Sequence, residues 1–206
     1  NIKAIRPQEM LPYDFTKENY SHMGYVAEGV TTYMGDRVLY ECSVFGENQY
    51  FKEFETYLTR HFHNDGRKHM SVANSSWDTW LDGYVQGIPG RKTSIYTEGA
   101  LIAYICDIRI RKATNNSASL HNVMQEMYKL ANTGKGYTET DYRNLLEKTS
   151  GESFEDIFIN LLHGTSDFTP FIIEALGYEG WKFEAKPSTK EYENFGLKGT
   201  WKNGSF

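Results

Sequence analysis

The sequence predicts a mainly α fold, a bundle-like arrangement of six or more helices closed by a short β tail. Three observations predict it. Apolar residues recur at helical spacing up to about residue 177. The Ser/Thr-x-x-acid signature of a helix start stands at Thr138 with Asp141 and at Ser153 with Asp156. Gly134, Gly151, Gly164 and Gly177 fall where those helices should stop.

Taken in order, a long helix is expected from Tyr20 or Ser21 to about Phe45, and another from Gln49 to His61. The polar, glycine-broken run from His61 to Ser76 reads as a loop, with Ser75 or Ser76 capping a short helix at "SSWDTW". Ile95 to Lys112 is strongly apolar and should be helical, entered through an irregular first turn. Ser117 is a poor helix start because Leu120 takes the acid's place; Thr138 and Ser153 are good ones. After Gly180, "WKFEAKP" alternates large apolar and polar residues, and "YENFGLKGTWKNGSF" is glycine-rich and strand-like. This divides the chain into a helical unit, 1–178, and a strand-rich tail, 179–206.

At 206 residues, with 39% hydrophobic and 24% charged residues, the chain can bury one core. A net charge of −5 and the lack of any basic run give no footprint for nucleic acid. The longest mainly apolar run, Gly99 to Ile108, is too short to span a bilayer. Cys42 and Cys106 lie in apolar helical patterns and read as buried free thiols, which leaves the compartment open. The 15 tyrosines suit either a carbohydrate- or peptide-binding surface or core packing.

Two acidic residues break apolar helical patterns. In "HMGYVAEGVTTYMGD", Met23, Val26, Ala27, Val30, Met34 and Val38 form one stripe on a helical wheel of about 100° per residue. Beside it lie Gly24, Glu28, Thr31, Thr32 and Gly35, all small except Glu28. Small residues admit a neighbouring helix, so Glu28 should face one. A carboxylate there requires an arginine or lysine, water, or a metal ion, since zinc accepts carboxylate oxygen. Thr31 or Thr32, one turn on, could then support the ligand. "SIYTEGALIAYICDI" repeats the pattern with Tyr96 and Glu98. Asp107 and Arg111 form an i, i+4 pair that braces this helix if buried.

"NIKAIRP" (Asn1 to Pro7), "AEGVTTYMGD", "SVANSSWDTW" and "IYTEGALIAYICDIRIRKAT" resemble, in order and spacing, the glycyl aminopeptidase-like, PDZ-containing zinc peptidases of the gluzincin superfamily. "SLHNVMQEMY", "SGESFEDIF" and "FIIEALGY" continue the resemblance to about Tyr178. It implies the helical C-terminal half of a gluzincin catalytic domain. It also implies that Glu28 is the third zinc ligand and that Tyr96 donates a hydrogen bond to the tetrahedral oxyanion. Peptide is the implied substrate. Where this chain has Glu98, relatives usually carry a basic residue. Arg6 should anchor the segment rather than act in chemistry.

The two histidine ligands and the general base of such enzymes come from HExxH, and none of the six histidines here stands in that motif. The resemblance places HExxH immediately ahead of Asn1 and a PDZ domain at the tail. The chain is therefore expected to be a piece of a peptidase that uses one zinc, unable alone to hold the metal or cleave peptides. Two other readings compete. His61, His63 and His69 are candidates for a separate metal site. A non-catalytic helical module binding peptides or glycans is the alternative function.

Overall fold

The computed structural model describes residues 5–82, 88, 90–131 and 134–186. A 3-10 turn at Gln8–Met10 leads to a π-helical segment, Tyr25–Val30, that runs directly into α1, Thr31–Glu41. Next come α2 (Glu47–Phe62), a 3-10 turn (Asp65–Lys68), α3 (Val72–Trp77), α4 (Thr79–Asp82) and α5 (Ile95–Ala113). They are followed by α6 (Leu120–Ala131), α7 (Glu139–Ser150) and α8 (Glu155–Ile157). α8 continues into a second π-helical segment, Phe158–Leu162, and α9 (Thr169–Tyr178) closes the unit. The fold is mainly helical, as expected.

α5 is the hub. Fourteen of its 19 residues are buried, which a helix apolar on every face requires. It packs against the Tyr25–Val30 segment, α1, α2, α3, α6, α7 and α9. No described helix is long and apolar enough to cross a membrane.

Local capping rules hold where all their atoms lie within one turn. Thr138 and Asp141 form the expected reciprocal capping box, and Gly151 ends α7 in the left-handed conformation. Long-range contacts overturn other expectations. Ser153 does not form a capping box, because the Asp156 carboxylate is held by both guanidinium nitrogens of Arg109 (2.6 and 2.8 Å). Ser71, not Ser75 or Ser76, caps α3. Ser76 instead accepts the Tyr25 backbone N–H at 3.2 Å, and Ser75 accepts that of Thr93. α5 starts regularly, with Ser94 accepting from Thr97 N. Gly177 lies inside α9 rather than at its stop.

Cys106 is buried, and burial pushes its thiol up to about 12, but Cys42 is exposed because α1 ends there. Tyr25, Tyr33, Tyr50, Tyr104, Tyr137 and Tyr142 are all buried, so much of the tyrosine content serves the core. Residues 181–186 form no strand among the described residues. Trp181 N donates to Leu176 O, and the rings of Trp181 and Phe183 pack on Phe51 and Phe62. The expected strand-rich tail otherwise falls on 187–206, outside the described residues.

Candidate active site

Glu28 sits in the π-helical segment, in the turn immediately before α1. Thr31 and Thr32 donate their hydroxyls to the carbonyls of Ala27 and Glu28, both at 2.7 Å, filling the widened turn with side-chain bonds. Those donations leave neither hydroxyl hydrogen for a carboxylate in this arrangement.

Gly24 meets α5, where a Cβ would lie 2.9 Å from Ile95 Cδ1, but the strip it begins does not stay on α5 through the π turn. A uniform helical wheel puts Gly24, Glu28 and Gly35 on one strip, yet Gly35 has nothing within 4 Å of where its Cβ would be. The closest approach is at Gly29, off that strip, where a Cβ would lie 2.4 Å from Gly99 Cα and 2.8 Å from Ile95 O. Gly99 is matched to it: a Cβ there would lie 2.8 Å from Gly29 Cα. Only paired glycines permit this crossing. Glu28 directly precedes one of them, and Tyr96 stands three residues before the other.

Glu28 is half-buried. Among the described residues its carboxylate accepts no hydrogen bond and joins no ion pair, so the arginine or lysine partner that the sequence allowed is not present there. Its charge acts on Tyr137, a buried phenol that the sequence did not single out. Burial and then the Glu28 charge push the Tyr137 hydroxyl above its ordinary range. Tyr137 is held by the segment around Pro7: Gln8 N donates to Tyr137 O at 2.8 Å, and Tyr137 N donates to Arg6 O at 3.2 Å. The Arg6 guanidinium lies 4.3 Å from the Tyr13 ring centroid, so Arg6 anchors this segment. Nothing in linear spacing links residue 137 to residue 28; tertiary contacts, among them the Pro7–Tyr137 bridge and the Tyr25–Tyr142 ring contact, bring the region in. Beside it, Ile5, Val26, Met124, Met127, Tyr128 and Tyr137 line most of an apolar cavity of about 460 Å³.

Tyr96 is half-buried on the first turn of α5. It lines a second cavity, about 490 Å³, with Arg60, Asn64, Ser94, Thr97 and Glu98. Glu28 is not among those lining residues, so the two candidate residues sit on touching elements without sharing that wall.

Glu98 does not face substrate space as a free charge. It is 1% exposed, and its Oε2 lies 2.6 Å from Nδ1 of His61, itself 1% exposed. The sequence raised His61 only as part of a histidine cluster; the overlooked signal was that an acid in so apolar a helix needs a partner. Asp107 is also buried, and accepts from Tyr33 Oη (2.6 Å), Arg111 Nε (2.9 Å) and Leu120 N (2.7 Å). It therefore braces α5 against α1 and α6. No three His, Cys, Asp or Glu side chains among the described residues converge as a metal site, and the His61, His63 and His69 proposal finds no support there.

Two comparisons bear on these residues. The model of the M61 glycyl aminopeptidase family matches residues 1–102, a span holding both Glu28 and Tyr96. The chain is also similar to a solved aminopeptidase N family protein from Idiomarina loihiensis, with 28% identity and a TM-score of 0.76. That match covers 86% of this chain and 30% of the other, so this chain spans under a third of that relative's length. No protein with a curated description matches.

Proposed function

We propose, from the match of residues 1–102 to the M61 glycyl aminopeptidase family model, that the chain forms the helical part of a zinc-dependent peptidase site. Glu28 is a metal ligand in this reading, and Tyr96 the donor to the oxyanion. The observation that carries it is the state of Glu28. The buried carboxylates of α5 each have a protein partner, whereas the carboxylate of half-buried Glu28 has none among the described residues. A carboxylate left without protein donors is suited to a cation.

The fit is to one ligand and not to a whole site. Two histidines and the general base would have to come from residues outside these 206, since HExxH is absent from them. Zinc, when bound, would polarise the scissile carbonyl and lower the pKa of its water. The chain's own residues do the rest. Glu28 offers a carboxylate oxygen from a turn fixed by the Gly29–Gly99 crossing. Tyr96 presents a neutral phenol O–H that strengthens its hydrogen bond as negative charge develops. Peptide is the substrate.

Zinc content tests the ligand. A protein carrying this chain together with an HExxH segment should hold one zinc, and Glu28→Gln should weaken its affinity by about 100-fold or more. Equal zinc content in both proteins would rule Glu28 out. The isolated chain should show no tight zinc binding on titration. Tyr96→Phe should retain zinc and lose about 10²–10³-fold in kcat with little change in KM.

A further inference from the structure

Glu98 and His61 form a pair that neither the resemblance nor the family match assigns. Their side chains come from different helices, the first turn of α5 and the last turn of α2, and both are nearly inaccessible. The 2.6 Å contact places a proton between His61 Nδ1 and Glu98 Oε2. The other ring nitrogen, Nε2, is buried with no hydrogen-bond partner among the described residues. The imidazole is otherwise gripped by ring contacts, edge-on with Phe62 at 4.8 Å and tilted over Phe168 at 4.9 Å. Such a pair is a poor way to gain stability. Two polar groups are desolvated, one nitrogen is left unsatisfied, and an apolar pair of similar size would fill the space at lower cost. What it does supply is a directional link between two helix ends.

The link falls at a sensitive place. Tyr96 is two residues before Glu98, on the same first turn of α5. Tyr96 and Glu98 belong to one wall of the 490 Å³ cavity, and Arg60 and Asn64 to the other. Arg60 directly precedes His61, and Asn64 follows it by three. The pair therefore joins the two walls at their roots. The first turn of a helix is the one most prone to fray, since its N–H groups lack intrahelical acceptors. Here a phenol that must meet a small target is carried on that turn.

We propose that His61 and Glu98 are positioning residues for Tyr96: by tying the start of α5 to the end of α2, they fix where the phenol stands and how wide its cavity is. The proposal rests on the reading of Tyr96 as the oxyanion donor for its functional meaning, though not for its test.

The test uses 3-fluorotyrosine placed at position 96 and, separately, at position 33 as a reference in the core, read by fluorine NMR on the whole chain. His61→Gln puts an amide near the orphaned Nε2 position and away from Glu98, breaking the pair. His61→Asn puts an amide nitrogen near Nδ1 and keeps a donor to Glu98. His61→Gln and Glu98→Ala should shift and broaden the residue 96 resonance, leave the residue 33 resonance in place, and be rescued by His61→Asn. An unmoved residue 96 resonance in His61→Gln would overturn the proposal, as would equal perturbation by His61→Asn. If Glu98→Ala unfolds, seen as collapse of the residue 33 signal, the two His61 variants decide the matter in the same way. The fluorine signal requires neither zinc nor substrate. Full turnover in Tyr96→Phe would thus sink the oxyanion role alone, whereas a failed His61→Gln response sinks the positioning role alone.

Discussion

Asp107 and Glu28 are both acids set among helical residues that pack on each other, and the fold treats them in opposite ways. Asp107 is saturated by a phenol, a guanidinium and a backbone amide drawn from three places in the chain. Glu28 accepts from none of the described residues. On the proposed function, the difference separates a structural carboxylate from a metal-binding one. A group whose hydrogen-bond capacity is filled by protein is there for the fold; one without a protein partner leaves the fold little to lose when it is replaced.

The strongest way to break that contrast is Asp107→Ala. It leaves the Tyr33 hydroxyl, the Arg111 guanidinium and the Leu120 N–H facing a void, and should destabilise the chain by about 3–5 kcal/mol in urea unfolding. A loss near zero would mean that Asp107 is no more structural than Glu28.

Next in size is the crossing that aims Glu28. Gly29→Ala drives a Cβ into the Gly99 backbone, and should cost about 1–3 kcal/mol by the same measurement. Gly35→Ala meets nothing within 4 Å, and should instead stabilise by about 0.5–1 kcal/mol. The reverse order would return the close approach to the strip that a uniform wheel predicts.

Glu139 supplies the intermediate case, a partnered surface carboxylate. It lies 2.7 Å from His163 Nε2, and that hydrogen bond raises the imidazole above its ordinary 6.5. A raised folded-state value means the pair contributes fully below about pH 6.5 and is lost as pH rises through the folded pKa. Both groups are part-exposed, so solvent screening holds the effect below about 0.5 kcal/mol. Unfolding midpoints taken on either side of neutrality should show it, and Glu139→Gln should flatten the difference.

The smallest effect belongs to Glu28. With no described protein partner to lose, Glu28→Gln should change stability by less than about 0.5 kcal/mol. A drop of 2 kcal/mol or more, on the order of a broken buried hydrogen bond, would place it with Asp107 after all.

Much of this was legible from the residues in order. The strongly apolar run of Ile95 to Lys112 marked a helix, and Thr138 with Asp141 marked a helix start. Helical periodicity and capping act over three or four residues, so adjacent sequence contains all their atoms. The position of Glu28 among glycines and threonines marked it as unusual for the same reason. Its role as a ligand came from resemblance rather than from spacing.

What only the tertiary structure decided were the partners of the polar groups and the face that each helix turns inward. His61 reaches Glu98 across 37 residues and Tyr33 reaches Asp107 across 74. Arg109 takes Asp156 away from the capping box it was expected to complete. The π turn moves Gly29 into the contact that periodicity gave to its neighbours. The physical reason is common to all four. The sequence fixes which groups need a partner, because desolvation cost belongs to the residue itself. Which partner arrives depends on which helices cross, and that is settled by packing around α5.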